Sequence, residues 1–189
     1  AQFAPLTFQV GQPAHLTAYI QLLHVEIGRS AQEAQALVAD YETVRGFHTA
    51  HWSVAALSQQ GRVQEALAVA IQNTTIRFIL PAAVQQQLSG QPINAATQAR
   101  LHGQIASTVQ QFLDARSAPI QCLALVRYVK AVRLARRASF GGPMVNPPHA
   151  DFALARLRSV ANLTLEACIR DARANDTSLS PLVPGEFRP

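Results

Sequence analysis

Lysine is almost missing from this chain: of the sixteen basic residues fifteen are arginine, and Lys130 stands alone. Arginine's planar fork matches phosphate bidentately and stacks on bases, so a basic surface built this way leans towards nucleic acid over a membrane surface. The same usage also follows from a GC-rich coding sequence. Cysteine is scarce too. Cys122 and Cys168 form no C-x-x-C and no other metal spacing, so the expectation is two small buried thiols in a reducing compartment. No apolar run approaches the roughly 20 residues that span a bilayer, and no charged segment followed by an apolar one opens the chain. The expectation is a soluble, intracellular protein with no membrane partner. Asn73-Thr-Thr, Asn162-Leu-Thr and Asn175-Asp-Thr match the glycosylation sequon, and without a secretory signal they read as chance.

Catalytic signatures are absent as well. There is no G-x-S-x-G, P-loop or G-x-G-x-x-G, and Phe140-Gly-Gly-Pro143 lacks the Lys and Ser/Thr of a phosphate loop. Asp40 and Glu42 form the only close pair among the eleven acids, and on a helix they point about 200° apart, which suits no acid/base couple. His48 and His51 could share a helix face, but no Asp, Glu or Cys at a recognisable spacing completes a metal set. No catalytic residue, metal or cofactor is assigned, and the chain is not read as an enzyme.

What the chain has is one strongly basic stretch. Cys122 to Ala138 carries five Lys and Arg residues and no acid, and no Asp or Glu occurs between Asp114 and Asp151. At about 100° per residue, Arg127, Lys130, Arg133 and Arg137 share one side of a helix, while Leu125, Tyr128, Val132 and Ala135 lie roughly opposite. Ordinary exposed helices alternate sign along a face; this one repels itself, and a polyanion would relieve the repulsion. A solvated charged face is the plain alternative. The net charge is +5, and residues 100–189 hold twelve basic groups against six acids, while residues 1–99 hold four against five.

The periodicities predict an all-α chain, a helical bundle with extended, Pro-rich N- and C-terminal arms. A single domain over 1–189 divides into an arm (1–13), a helical core (14–173) and a second arm (174–189). Leu6, Phe8 and Val10 alternate as in a strand. Leu16, Tyr19, Ile20, Leu23 and Ile27 make an amphipathic helix that Gly28 ends, and the capping box Ser30-Ala-Gln-Glu33 starts a second, antiparallel one to about Arg45. Gly61 separates a short helix around Trp52 from one over 63–72, and residues 74–80 are β-branched enough to be extended but are also the right length for a buried helical turn. Pro81 opens a helix that Gly90 closes. Asn94 caps a helix through Arg116, Ser117 and Pro119 restart the chain as the basic helix, residues 140–148 form a loop, and Asp151 opens one last long helix.

Several short elements carry a family resemblance. Ala99-Arg100-Leu101, Gln111-Phe112, Ala118-Pro119, Pro147-Pro148, Asp151-Phe152-Ala153 and Phe187-Arg188-Pro189 resemble, in that order, the C-terminal half of coat proteins from flexuous, potexvirus-like RNA viruses. Gln110 departs from that family's Arg, and Leu154-Ala155-Arg156 replaces its doubled aromatic. The Gln- and Ala-rich, Lys-poor composition and Gln91-Pro92 through Arg100-Leu101 are similar to rod-shaped, tobamovirus-like coats. Both resemblances imply a small helical subunit that polymerises around single-stranded RNA without reading its sequence, in the virion or the host cytoplasm. The nucleic-acid-binding residues would be Arg127, Lys130, Arg133, Arg136 and Arg137, with Arg116, Arg100 and Arg77 as lesser candidates. The apolar arms would join neighbouring copies into a homo-oligomer, as open filaments require. The alternatives are a discrete helical DNA-binding or accessory protein and a helical enzyme or effector whose site the sequence does not reveal.

Overall fold

The computed structural model of the chain describes residues 7–9, 13–74, 77–79 and 95–188. Five helices account for most of them: α1 (Pro13–Arg45), α2 (Ala50–Gln72), α3 (Ala95–Ala138), α4 (Pro147–Arg158) and α5 (Asn162–Arg173). The described β-structure is a short parallel pairing of β1 (Thr7–Gln9) with β2 (Arg77–Ile79), in the register Phe8 to Phe78. The expected helix over 81–90 and the Asn94 cap lie outside the described residues.

Three expected breaks are absent, and in each case packing outweighs local propensity. α1 runs unbroken through Gly28 and Ser30, so the expected hairpin over 14–45 is one helix. Its apolar stripe continues past the glycine: Tyr19 and Leu23 are buried, and Ile27, Ala31 and Ala34 pack on the same cluster. A helix-interior glycine costs only about 1 kcal/mol, less than that stripe returns. α2 likewise passes through Gly61. A Cβ there would stand 2.4 Å from the Tyr128 ring, so this glycine admits a neighbouring aromatic and breaks nothing. α3 continues through Pro119. Val109 and Leu113 before the proline meet Leu67 and Ile71 of α2, while Ala124, Leu125 and Tyr128 after it share a second cluster with Leu57 of α2. Contact with one straight partner on both sides holds the helix together across a residue that donates no hydrogen bond.

One break went unforeseen. The last helix divides into α4 and α5 at Ser159–Ala161, and α4 begins at Pro147 ahead of Asp151. The division lets α5 turn back onto α3. Leu165, Cys168 and Ile169 join Val129, Val132 and Leu157 in the main core.

Cys122 and Cys168 are joined as a disulfide between α3 and α5, with Cα atoms 5.0 Å apart and a sequence separation of 46. This corrects the expectation of two free thiols. Disulfides persist in oxidising surroundings and are rare where glutathione keeps thiols reduced. The C-terminal arm is a second correction. Leu179 and Phe187 are buried in the core of their own chain, with Leu182 packed beside them.

Two outcomes follow. Gly61→Ala drives a methyl into the Tyr128 ring and should cost about 1–3 kcal/mol in chemical denaturation. Cys122→Ala/Cys168→Ala, or reduction, should lower stability by about 2–4 kcal/mol. An unchanged urea midpoint under reductant would show that no crosslink exists.

Candidate anion-binding cleft

The second half of α3 is buried over most of its circumference: Ala124, Tyr128, Val129, Ala131, Val132 and Ala135 are at most 1% exposed. Its basic residues therefore emerge at the margins of a packed core, where neighbouring elements reach them. Arg127 lies 3.9 Å from Glu42 of α1. Lys130 pairs with Asp176 just beyond α5, and hydrogen bonds from Lys130 and then Ser178 pull the Asp176 carboxyl down to about 2.

Arg133 is the most completely held. Nε and Nη2 grip the two Glu186 carboxylate oxygens at 2.7 Å each. Nη1 donates to the Ser180 carbonyl at 2.9 Å and to its hydroxyl at 3.3 Å, and Nη2 also donates to the Pro181 carbonyl at 2.9 Å. Each of the five N–H donors of a guanidinium thus has an acceptor. Burial pushes the Glu186 carboxyl up, but hydrogen bonds from Arg133 and the Val183 amide, with the charges of Arg133 and Arg136, outweigh it and hold the group below the ordinary glutamate value.

Arg136 donates to the Glu186 backbone carbonyl at 2.8 Å and lies over the Phe187 ring, 5.6 Å from its centroid. Among the described residues, Arg137 has no hydrogen-bonding or ion-pair partner. Arg133, Arg136 and Arg137 line one side of an open cleft of about 530 Å³, and Ser180, Pro181, Val183 and Glu186 line the other. Three guanidinium groups thus face one carboxylate. An arrangement of this kind can hold a multiply charged anion by charge and bidentate hydrogen bonds.

The lesser candidates are not part of the cleft. Arg116 is bonded to His24 Nδ1 at 3.1 Å and lies over Phe112. Arg100 is exposed in α3 about 55 Å of helix away from Arg137. Arg77 belongs to β2, opposite Thr7. So the structure gathers Arg133, Arg136 and Arg137, places Arg127 and Lys130 against separate acids, and leaves the other three apart. The expected one-sided, unopposed basic face is corrected accordingly.

Sequence reasoning missed the acids that neutralise it. Asp176 and Glu186 lie in the segment read as an apolar arm, and Glu42 is 85 residues from Arg127. The tail's own pattern was the one available signal, since it combines buried-type residues with acids opposite a basic helix.

Other polar clusters serve the fold. Tyr128 donates to Glu65 at 2.9 Å, Arg156 Nε donates to the same carboxylate at 2.8 Å, and burial raises the Tyr128 phenol well above its ordinary value. His149 lies 3.0 Å from Asn146 Oδ1 and 3.3 Å from Gln59 Nε2, while the Ser58 hydroxyl donates to the His149 backbone carbonyl and not to its ring. No nucleophile and base are paired there. Among the described residues no three His, Cys, Asp or Glu side chains converge on a common point, and no helix is long and apolar enough to cross a membrane. No family model matches the chain, and no curated protein or solved structure matches it.

The Glu186 clamp predicts a pH response. A carboxyl whose value is lowered by folding contributes stability above its unfolded value near 4.5, and that stability is lost as pH falls through the lower folded value. The protection of amides over residues 179–188, relative to their intrinsic exchange rates, should therefore fall as pH drops below about 4.5. Glu186→Gln should loosen the same residues at neutral pH and cost about 1–3 kcal/mol. Exchange unaffected by that substitution would show that the pair does not hold the segment.

Proposed function

We propose that this chain is a non-catalytic helical binding protein whose cleft at the C-terminal end of α3 grips an anionic polymer through phosphate-like charge. The observation that carries the reading is the convergence of Arg133, Arg136 and Arg137 on one open cleft that contains a single carboxylate, Glu186. Arg137 meets the ligand first because it has no partner to leave. Arg136 follows by giving up one backbone carbonyl. Recognition is by charge and counterion release, and it carries no base-specific readout.

The helical-capsid reading is the stricter form of this proposal, with single-stranded RNA as the polymer and repeated copies of the chain along it. Its support is the excess of arginine in the second half of the chain. Two features argue against it. The C-terminal arm is occupied by its own subunit, so assembly would rest on other surfaces, and the disulfide belongs to an oxidising compartment. A second reading therefore keeps the helical domain and gives the arginines a purely internal role as the clamp for residues 176–188.

Binding of single-stranded RNA homopolymers at low salt, followed by fluorescence anisotropy, separates these readings. Arg136→Ala/Arg137→Ala should weaken binding at least tenfold, equally across homopolymers, and reduce the salt slope by about one to two units. Equal affinity in the double variant would sink the cleft and leave the internal clamp. Electron microscopy of the same samples tests the capsid form: filaments with RNA support it, and discrete particles at all ratios remove it.

A further inference from the structure

The three sequons set aside as chance acquire a different standing once Cys122 and Cys168 are bonded. Serine and threonine make up 20 of the 189 residues, so a hydroxyl two positions after an asparagine should occur about one time in nine if placement were random. It occurs at three of the five asparagines. The other two are informative. Asn146 is buried at 7% and is followed by Pro147, which a sequon forbids. Asn94 is followed by two alanines and lies outside the described residues.

Asn73, Asn162 and Asn175 are all exposed, and all lie at helix ends. Asn73 is the C-cap of α2, Asn162 opens α5, and Asn175 follows two residues after its end. A branched sugar on a helix end points into solvent and displaces no packed neighbour, whereas the middle of a buried stripe would refuse it. At Asn162 the chemistry is also compatible with the contacts present. Its Oδ1 accepts a hydrogen bond from Arg188 Nε at 3.1 Å, and glycan attachment uses Nδ2, so that bond survives. The adjacent Leu163 is 81% exposed, so this end of α5 is open to a bulky substituent.

We infer that Asn73, Asn162 and Asn175 are N-glycosylation acceptors, and that the chain matures in an oxidising compartment where the Cys122–Cys168 bond also forms. The step needs one co-reactant, an oligosaccharide carried on a lipid pyrophosphate and delivered by a transferase. The side-chain amide nitrogen attacks the anomeric carbon, the C1–N bond forms and the C1–O bond breaks. One amide proton is lost and the lipid pyrophosphate leaves, with no change of oxidation state. Glycan addition and disulfide formation then share one location, which two free thiols would not have required. This inference is independent of the anion cleft.

The test uses the full chain, routed through the secretory pathway of a eukaryotic cell behind a cleavable signal. Treatment with peptide:N-glycosidase in ¹⁸O-water converts each occupied asparagine to a tagged aspartate, read by peptide mass spectrometry. Tagging at two or three of the sites is expected, with one mobility step lost in Thr164→Ala and another in Thr177→Ala. Thr164→Ser, which preserves the sequon, should keep its step. Tagging at one site or none overturns the inference. Sugar is transferred during chain entry, so material retained in the cell carries the same information as secreted protein, and a folding defect does not obscure the outcome. Bacterially made protein serves the anisotropy experiment, which keeps failure of the cleft separate from failure of the sequons.

Discussion

Burial of the C-terminal half of α3 is the constraint to which the other elements conform. Small side chains at Ala124, Ala131 and Ala135, all at most 1% exposed, let neighbouring helices approach closely, and Gly61 admits the Tyr128 ring at a distance no other residue would allow. A helix enclosed in this way cannot leave its charges to bulk water. An unpaired charge taken into a core costs several kcal/mol, so Arg127, Lys130 and Arg133, the half-buried basic residues at its margin, each draw an acid from whichever element passes, while Arg137 stays exposed without one among the described residues. Glu42 arrives from α1, Asp176 from beyond α5, and Glu186 from the final segment. The same geometry explains why the C-terminal segment folds back: its apolar residues fill the core edge while its acid completes Arg133.

That reasoning also shows how far the sequence could be read. The stripes were legible because burial acts on periodicity: Tyr19, Leu23 and Ile27 of α1 and Val109 and Leu113 of α3 all face the cluster they share with Leu67 and Ile71 of α2. Helix ends were less legible. Gly28, Gly61 and Pro119 are each local signals worth about 1–3 kcal/mol, and each is overruled by packing that a linear reading cannot sum. The one unforeseen break, at Ser159–Ala161, carries no glycine or proline at all. It is set by the need to return α5 to α3.

The cysteines show the same limit in covalent form. A spacing of 46 residues has no signature, because what brings the two sulfurs together is the turn between α4 and α5. The absence of acids between Asp114 and Asp151 has a cause within the fold for Arg127, Lys130 and Arg133. It marks a helix whose counter-charges come from distant sequence, which short-range pairing rules cannot detect.

The clamp on Arg133 sets what the cleft can accept. Glu186 is tethered to the same chain, so it competes with any incoming anion at an effective concentration of millimolar order or higher. To reach Arg133, a single dilute phosphate would have to break two charge-assisted hydrogen bonds at 2.7 Å, and it would return no more than it displaces. A polymer is in a different position. On the proposed reading it would engage Arg137 and then Arg136 without touching the carboxylate, and its next phosphate would compete with Glu186 as a tethered group itself. On the proposed reading the arrangement would discriminate by valency, because the Arg133–Glu186 pair would open only to a ligand already held at the two neighbouring arginines.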